Sequence, residues 1–355
     1  MTEPRPLRGA LIGCGFVSRH HLDAWSMAPG ARLIALCDLD PVRLGQMASR
    51  APGAQLYQNP ARMFADLPLD FVEICTRPDS HLALVEMAAR HGVHVLCQKP
   101  AAATLADLRA LIASCETAGV RLMIHENWRF RPWYRALRAE IDAGSIGQPI
   151  RLRLAHRDTR ALRPDGFSDQ PYFARMPRLI LFEMGCHLID TARFLLGEVA
   201  SVSATLGRFA RDHAGEDVAT LSLRFVSGTL GLLDMSWCAP APLARPEWAL
   251  NPTIVEGTEG SLSLCRDGSL ERIGLSGDKV LVPVNLPADD LVYLDGYRAT
   301  QAHFIEGLHS GASLETSGAE TLKTMAVVWA AYRSAEERRE IDLDGTGGDE
   351  APAFF

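Results

Sequence analysis

The sequence predicts an α/β protein in two domains, a Rossmann-like parallel sheet followed by an α+β domain with an open, mainly antiparallel sheet. Three observations predict it. Short apolar runs alternate with amphipathic ones through the first 125 residues, and a glycine pair sits where the first run gives way to a helix. Beyond Gly197 the pattern changes to closely spaced strands broken by Gly and Asp.

Taken in order, the strand-like runs are GALIGCG, RLIALCD, FVEICT, VHVLCQ and VRLMIHE. Between them lie the helix-like RHHLDAWSM, PVRLGQMASRA, HLALVEMAARHG and LADLRALIASCETAG. From Asn127 the stretch NWRFRPWYRALRAEIDAG reads as a basic, aromatic approach to a helix that Gly144 and a Gly-Gln-Pro turn stop. A further helix runs from Phe182 into TARFLLG, and the strands VASVSATLGRF, DVATLSLRFVSGTLGLLDMSW, TIVEGTEGSLSLCRDGSLERI and KVLVPVN follow. Their alternation predicts a sheet with helices on one face and the other free for a second subunit. GAETLKTMAVVWAAYRSAEERR closes the body as a helix. The expected divisions are 1–125, 126–343 and a mobile acidic tail at 344–355.

Length and composition narrow the function. A chain of 355 residues, 47% hydrophobic and 22% charged, has material for two cores. A formal net charge of -7 argues against nucleic acid or an acidic membrane surface as partner and leaves small-molecule chemistry. No apolar run approaches the roughly eighteen residues of a membrane span. Eight cysteines without a C-x-x-C pair, several inside apolar strands, suit reduced thiols and a cytoplasmic protein. A metal site is not indicated, since H-E-x-x-H is absent and no third ligand is evident.

The first candidate site is the glycine loop. Gly13 makes the tight turn, Gly15 lets backbone approach a diphosphate, and Phe16 and Val17 lead into a helix whose N-terminus favours the anion. Ser18 stands where the dinucleotide fingerprint has its third glycine. Asp38, a little over twenty residues on, ends the second strand and is placed to bind the ribose 2′-OH and repel a 2′-phosphate. NAD is therefore expected over NADP. The alternative is that Asp38 only caps the turn Asp-Leu-Asp-Pro, where Asp40 can cap instead. Thr76, Arg77, Pro78 and His81, with Gln98 and Lys99, end later strands at the edge where a nicotinamide would emerge. Lys99 there either faces a ligand or marks the strand's exit into water.

The second candidate site is Glu183, His187 and Asp190. On a regular helix they share one face, and a carboxylate beside an imidazole suits a base that oxidises a hydroxyl. A plain helix-face ion pair is the alternative. Asn127, Arg129, Tyr172 and Arg175 are further candidates for substrate contacts.

GCGFVS, Thr76 to His81, CQKP, EMGCHLID, Gly215 to Asp217, EGTEGSLSL and ETSGAETLKTMAVVWAAYRSA in this order resemble the glucose-fructose oxidoreductase, inositol dehydrogenase and MocA (Gfo/Idh/MocA) family. The resemblance covers nearly the whole chain. It implies NAD(P)-dependent chemistry on a sugar or polyol, with Lys99 as the catalytic-site lysine and Asp190 as a substrate-contacting carboxylate. The chain departs from the family twice: Gln98 stands for a glutamate and Glu183 for an aspartate. HENWRFRPWYR and QPYFARMPRLILFEMGCHLID are similar to the family's D-apiose dehydrogenase branch, which implies oxidation to a lactone. On this reading His187 takes the hydroxyl proton, Glu183 orients it, and Lys99 stabilises the reacting oxygen, or Lys99 is the base and His187 positions. A homodimer or homotetramer through the second sheet is expected. A non-catalytic NAD-binding regulator and a keto-sugar reductase are the alternative readings.

Overall fold

The computed structural model describes residues 5–240 and 250–343, so the expected tail lies outside the described residues. The first sheet contains β1 (Leu7–Ile12), β2 (Ala31–Cys37), β3 (Gln55–Tyr57), β4 (Phe71–Ile74), β5 (His94–Gln98) and β6 (Leu122–His125). It interleaves with α1 (Ser18–Trp25), α2 (Pro41–Met47), α3 (Pro60–Asp66), α4 (Pro78–Arg90) and α5 (Leu105–Thr117). All pairings are parallel, in the order β3-β2-β1-β4-β5-β6. The order reverses between β1 and β4, and a crevice opens beyond the carboxyl ends of those strands.

Two elements of this sheet went unread in the sequence. β3 is only three residues at the edge, too short to show a period. Helix α3 carries clear signals: Asn59 caps it by accepting from Ala61 and Arg62, and Pro60 takes its first position.

The second sheet is built from β7 (Pro149–Arg157), β8 (Val199–Gly207), β9 (Val218–Phe225), β10 (Leu230–Ser236), β11 (Thr253–Gly257), β12 (Gly260–Leu264), β13 (Leu270–Gly274), β14 (Lys279–Val282) and β15 (Ile341–Asp342). It is antiparallel apart from the β7–β10 pair. Along β9, Ala219, Leu221, Leu223 and Phe225 are buried while Thr220, Ser222 and Arg224 are exposed, so one face is covered and the other open. α6 (Pro132–Asp142), α7 (Cys186–Leu196), α8 (Val292–Ser310) and α9 (Gly318–Glu337) complete the fold. β7 and α8 had not been expected. α8 packs on α1, and Thr316 pairs with Ile124 through both its carbonyl and its hydroxyl, so this late segment returns to the first domain. Among the described residues no helix is long and apolar enough to cross a membrane.

The start of the helix that carries Glu183 and His187 is clamped from the connection between β8 and β9. Oε1 of buried Glu216 accepts from Leu179 N–H (3.0 Å), Leu181 N–H (3.1 Å) and the Tyr332 hydroxyl (2.7 Å). A distant carboxylate thus does the work of a helix cap. Glu216→Ala is expected to lower stability by about 3 kcal/mol and Glu216→Gln by much less, because the amide keeps an acceptor oxygen; denaturant midpoints of the two variants check this.

Candidate active site

Sheet register assembles the site. Gln98 at the end of β5 lies level with His125 at the end of β6, so the next residues, Lys99 and Glu126, leave the sheet side by side at its carboxyl edge. The segment Leu179–Leu196 comes over this edge, and its first turn, Leu181–Gly185, is a wider π-type turn before α7 begins.

That turn overturns the expected pairing of Glu183 with His187. In a π-type turn residues four apart no longer sit one above the other. Glu183 instead binds Lys99: Nζ donates to Oε2 at 2.9 Å and to the Glu183 carbonyl at 3.1 Å. His187 instead turns Nδ1 to Glu126, in a very short contact. Glu126 was missed in the sequence, where a carboxylate one residue past a strand end was the available signal. Trp128 stacks flat on the His187 ring, with centroids 4.6 Å apart and planes 2° apart, and the Arg131 guanidinium covers the Trp128 ring at 4.8 Å.

Electrostatics separate the roles. Burial disfavours the ammonium of Lys99, but its acidic neighbours, Glu183 first and then Cys186 and Glu126, together outweigh it and hold Lys99 above the usual lysine range. Burial, then the cations Lys99 and Arg131, hold His187 well below the usual histidine range, so its imidazole is neutral. Burial pushes the Glu126 carboxyl up to about 7 against the pull of Lys99. The site therefore presents a fixed cation next to a neutral imidazole whose Nδ1–H points at an acceptor and whose Nε2 has a lone pair.

Asp190 and Arg129 need correction as substrate contacts. Arg129 donates to both Asp190 oxygens at 2.7 Å, and its remaining nitrogen reaches the Glu315 carbonyl at 3.0 Å. Both side chains are buried, so the pair is an internal strut tying α7 to the β6 exit. Asn127 is buried, Tyr172 is half-buried with its hydroxyl donating to Gln170 at 3.0 Å, and Arg175 is exposed. Burial, then the Glu183 carboxylate, raise Tyr172 far above the usual tyrosine range.

The glycine loop fits a dinucleotide. Gly13 has φ +99°, and a Cβ there would lie 2.7 Å from the Cys75 carbonyl oxygen. A Cβ on Gly15 would meet nothing within 4 Å, which leaves room for a diphosphate. The N–H groups of Gly15, Phe16 and Val17 take no partner among the described residues and stay available to an anion. Ser18 is buried and donates to the Gly15 carbonyl at 2.6 Å, bracing the loop.

Asp38 holds the same loop from the end of β2, accepting from Cys14 N–H at 2.6 Å and Asp40 N–H at 2.8 Å. Each oxygen keeps a lone pair for a ribose hydroxyl, and Asp40 caps α2, so the two aspartates divide the tasks. Leu39, 81% exposed beside this carboxylate, is an apolar surface the sequence reading passed over. Thr76 and Arg77 flank the crevice, with Pro78 opening α4. His81 needs correction as a cofactor contact. It is fully buried, and its ring nitrogens face the carbonyls of Thr76 (3.0 Å) and Ala101 (3.1 Å), which makes it a brace between two loops. Gln98 is buried below the crevice.

Asp190→Ala is expected to cost about 3–5 kcal/mol by leaving Arg129 buried without its carboxylate, measured by denaturant unfolding. A contact to substrate would instead raise KM with stability unmoved.

Residues 7–126 match the family described as "Oxidoreductase family, NAD-binding Rossmann fold", and residues 134–263 match the "GFO/IDH/MocA C-terminal domain". The D-apiose dehydrogenase of Paraburkholderia graminis is 42% identical, over 99% of this chain and 93% of that protein. That of Rhizobium rhizogenes is 38% identical, over 97% and 98%. The crystal structure of an oxidoreductase from Agrobacterium radiobacter in complex with NAD+, L-tartaric acid and magnesium superposes with a TM-score of 0.89. It is 37% identical and covers 96% of this chain and 99% of its own. With the Rossmann crevice, the NAD-type carboxylate at Asp38 and these full-length likenesses together, the chain belongs to the Gfo/Idh/MocA family of NAD-binding oxidoreductases.

Proposed function

We propose that this protein oxidises a sugar at a carbinol or hemiacetal carbon, with D-apiose as the substrate and its lactone as the product. The observation that carries the reading is the geometry at the sheet edge: His187, its Nδ1 on Glu126, beside Lys99, whose Nζ is held 2.9 Å from Glu183 Oε2. The named activity of the two relatives, both similar over nearly their full length, supports the choice of sugar.

In the mechanism His187 is the base. Its Nε2 accepts the hydroxyl proton, and Glu126 receives the Nδ1–H and stabilises the imidazolium as it forms. Lys99 donates a hydrogen bond to the same oxygen and stabilises its negative charge while the C–H bond breaks. The Gly13–Val17 loop and Asp38 would hold NAD, which when bound would supply the hydride acceptor. Glu183 keeps Lys99 charged and aimed. Its Oε1 is buried with no partner among the described residues, which suits it to accept a neighbouring sugar hydroxyl. Tyr172, half-buried with its hydroxyl on Gln170, is a second candidate contact for the sugar.

The open face of the second sheet is the proposed pairing surface for a homodimer or homotetramer. Eight free cysteines are consistent with a reducing, cytoplasmic setting.

NADH formation with D-apiose, other aldoses, polyols and inositols tests the substrate. Turnover of D-apiose well above the rest is expected, and preference for an inositol with none for D-apiose overturns it. Lys99→Met and His187→Ala are expected to slow single-turnover hydride transfer by about 10²-fold or more; unchanged rates remove both from the mechanism. Because the Glu126 carboxyl titrates at about 7, kcat/KM is expected to rise with pH through that region as the carboxylate forms. Glu126→Gln should abolish that limb and lower kcat by about 10²-fold, and a pH–rate profile of both proteins checks it.

A further inference from the structure

Beneath the crevice lies a buried hydrogen-bonded chain that the mechanism above does not use. Glu73, fully buried in β4, accepts from Trp25 Nε1–H at 2.5 Å through Oε2 and faces His21 Nδ1 at 2.7 Å through Oε1. His21 Nε2 faces Gln98 Nε2 at 2.6 Å, and Gln98 Oε1 faces the Lys99 backbone nitrogen at 2.7 Å.

The directions of these bonds follow from one fact. A backbone N–H can only donate, so the Gln98 oxygen must be the atom at Lys99 and the amide nitrogen must be the atom at His21. That nitrogen also only donates, so His21 Nε2 accepts and the imidazole carries its proton on Nδ1. Nδ1–H then needs an acceptor, which Glu73 provides. Each link is satisfied in this one polarity.

The surroundings add no competing charge. His125 lies ring to ring with His21 at 4.3 Å, and burial holds it well below the usual histidine range. Burial pushes the thiols of Cys75 and Cys97, both near Glu73, well above the usual cysteine range. Tyr297 meets the His21 ring edge-on at 5.0 Å, and burial raises it too. Gln301 Nε2 donates to the His21 carbonyl at 3.1 Å and fixes the backbone.

We propose that Glu73 and Gln98 are a coupled pair of positioning residues, one carboxylate and one amide on opposite sides of His21, that together fix the turn presenting Lys99. This explains how the chain carries glutamine where the family resemblance implies glutamate: the buried carboxylate sits at 73, and the amide at 98 completes the polarity. With glutamate at both positions either His21 becomes an imidazolium between two carboxylates or one buried carboxyl has to keep its proton. With glutamine at both, the His21 ring, with one proton, would face two amide groups, each turned so that its own oxygen meets an N–H donor.

The reciprocal exchange is the decisive test. In Glu73→Gln/Gln98→Glu each link is again satisfied, with Trp25 N–H on the new amide oxygen, the new amide N–H on Nδ1, and Nε2–H on the new carboxylate. Glu73→Gln alone is expected to lower kcat about tenfold with KM for the sugar little changed, and the double variant to recover to within about threefold of wild type. A double variant no better than Glu73→Gln overturns the coupling.

Nitrogen-15 NMR of labelled histidine, with His21→Asn identifying the signal, reads the tautomer directly. The proton should be on Nδ1 in the wild type and on Nε2 in the double variant, and an Nε2 proton in the wild type overturns the proposal even if a variant fails to fold. The role of Lys99 rests on the proposed function. The tautomer is measured without substrate, so a wrong sugar assignment leaves that arm intact.

Discussion

A buried charge has to be paired, and the site depends on how that requirement is met at the carboxyl edge of the first sheet. Lys99, Glu126, Glu183, His187, Arg129 and Asp190 crowd into one shielded region at that edge. Arg129 with Asp190 forms a closed pair in which each side chain satisfies the other. Lys99 with Glu183 and Glu126 with His187 leave capacity over: a spare Glu183 oxygen, and an imidazole nitrogen whose lone pair is not engaged by Glu126. The closed pair holds the architecture, and the open ones face the chemistry.

The same shielding divides acid from base. Lys99 and His187 share one low-dielectric environment, yet one is held charged and the other neutral. The difference lies in their partners. Glu183 gives Lys99 a full carboxylate at 2.9 Å, whereas His187 faces two cations and a carboxyl that burial itself pushes up to about 7. An ammonium beside a neutral imidazole suits removal of a hydroxyl proton with stabilisation of the oxygen left behind.

Support for this arrangement comes from far along the chain. Glu216 caps the helix carrying Glu183 and His187 from the connection between β8 and β9, and Thr316 and α8 lock the late segment onto β6 and α1. The two sheets are thus joined at the elements that hold the site. Below the crevice, Trp25, Glu73, His21 and Gln98 link three elements of the first domain to the backbone of Lys99.

The sequence by itself determined the dinucleotide domain, because glycine spacing, strand ends and helix periods are local properties that neighbours in the chain enforce. Gly13, Gly15 and Asp38 stand where that pattern put them, and the charge of Asp38 is legible without any partner. β3 and α8 were missed because a three-residue edge strand has no period and α8 mixes polar and apolar residues around its surface. Only the tertiary structure decided who pairs with whom. Glu183 and Asp190 were read against His187 on the assumption of a regular helix; one π-type turn broke the relation of Glu183 to His187, and Arg129 from outside the helix took Asp190. Glu126, Glu73 and Arg129 gain their roles from residues between 48 and 61 positions away. Ionic and hydrogen-bond partners are set by distance in space, and sequence spacing reports that distance only within a single regular element.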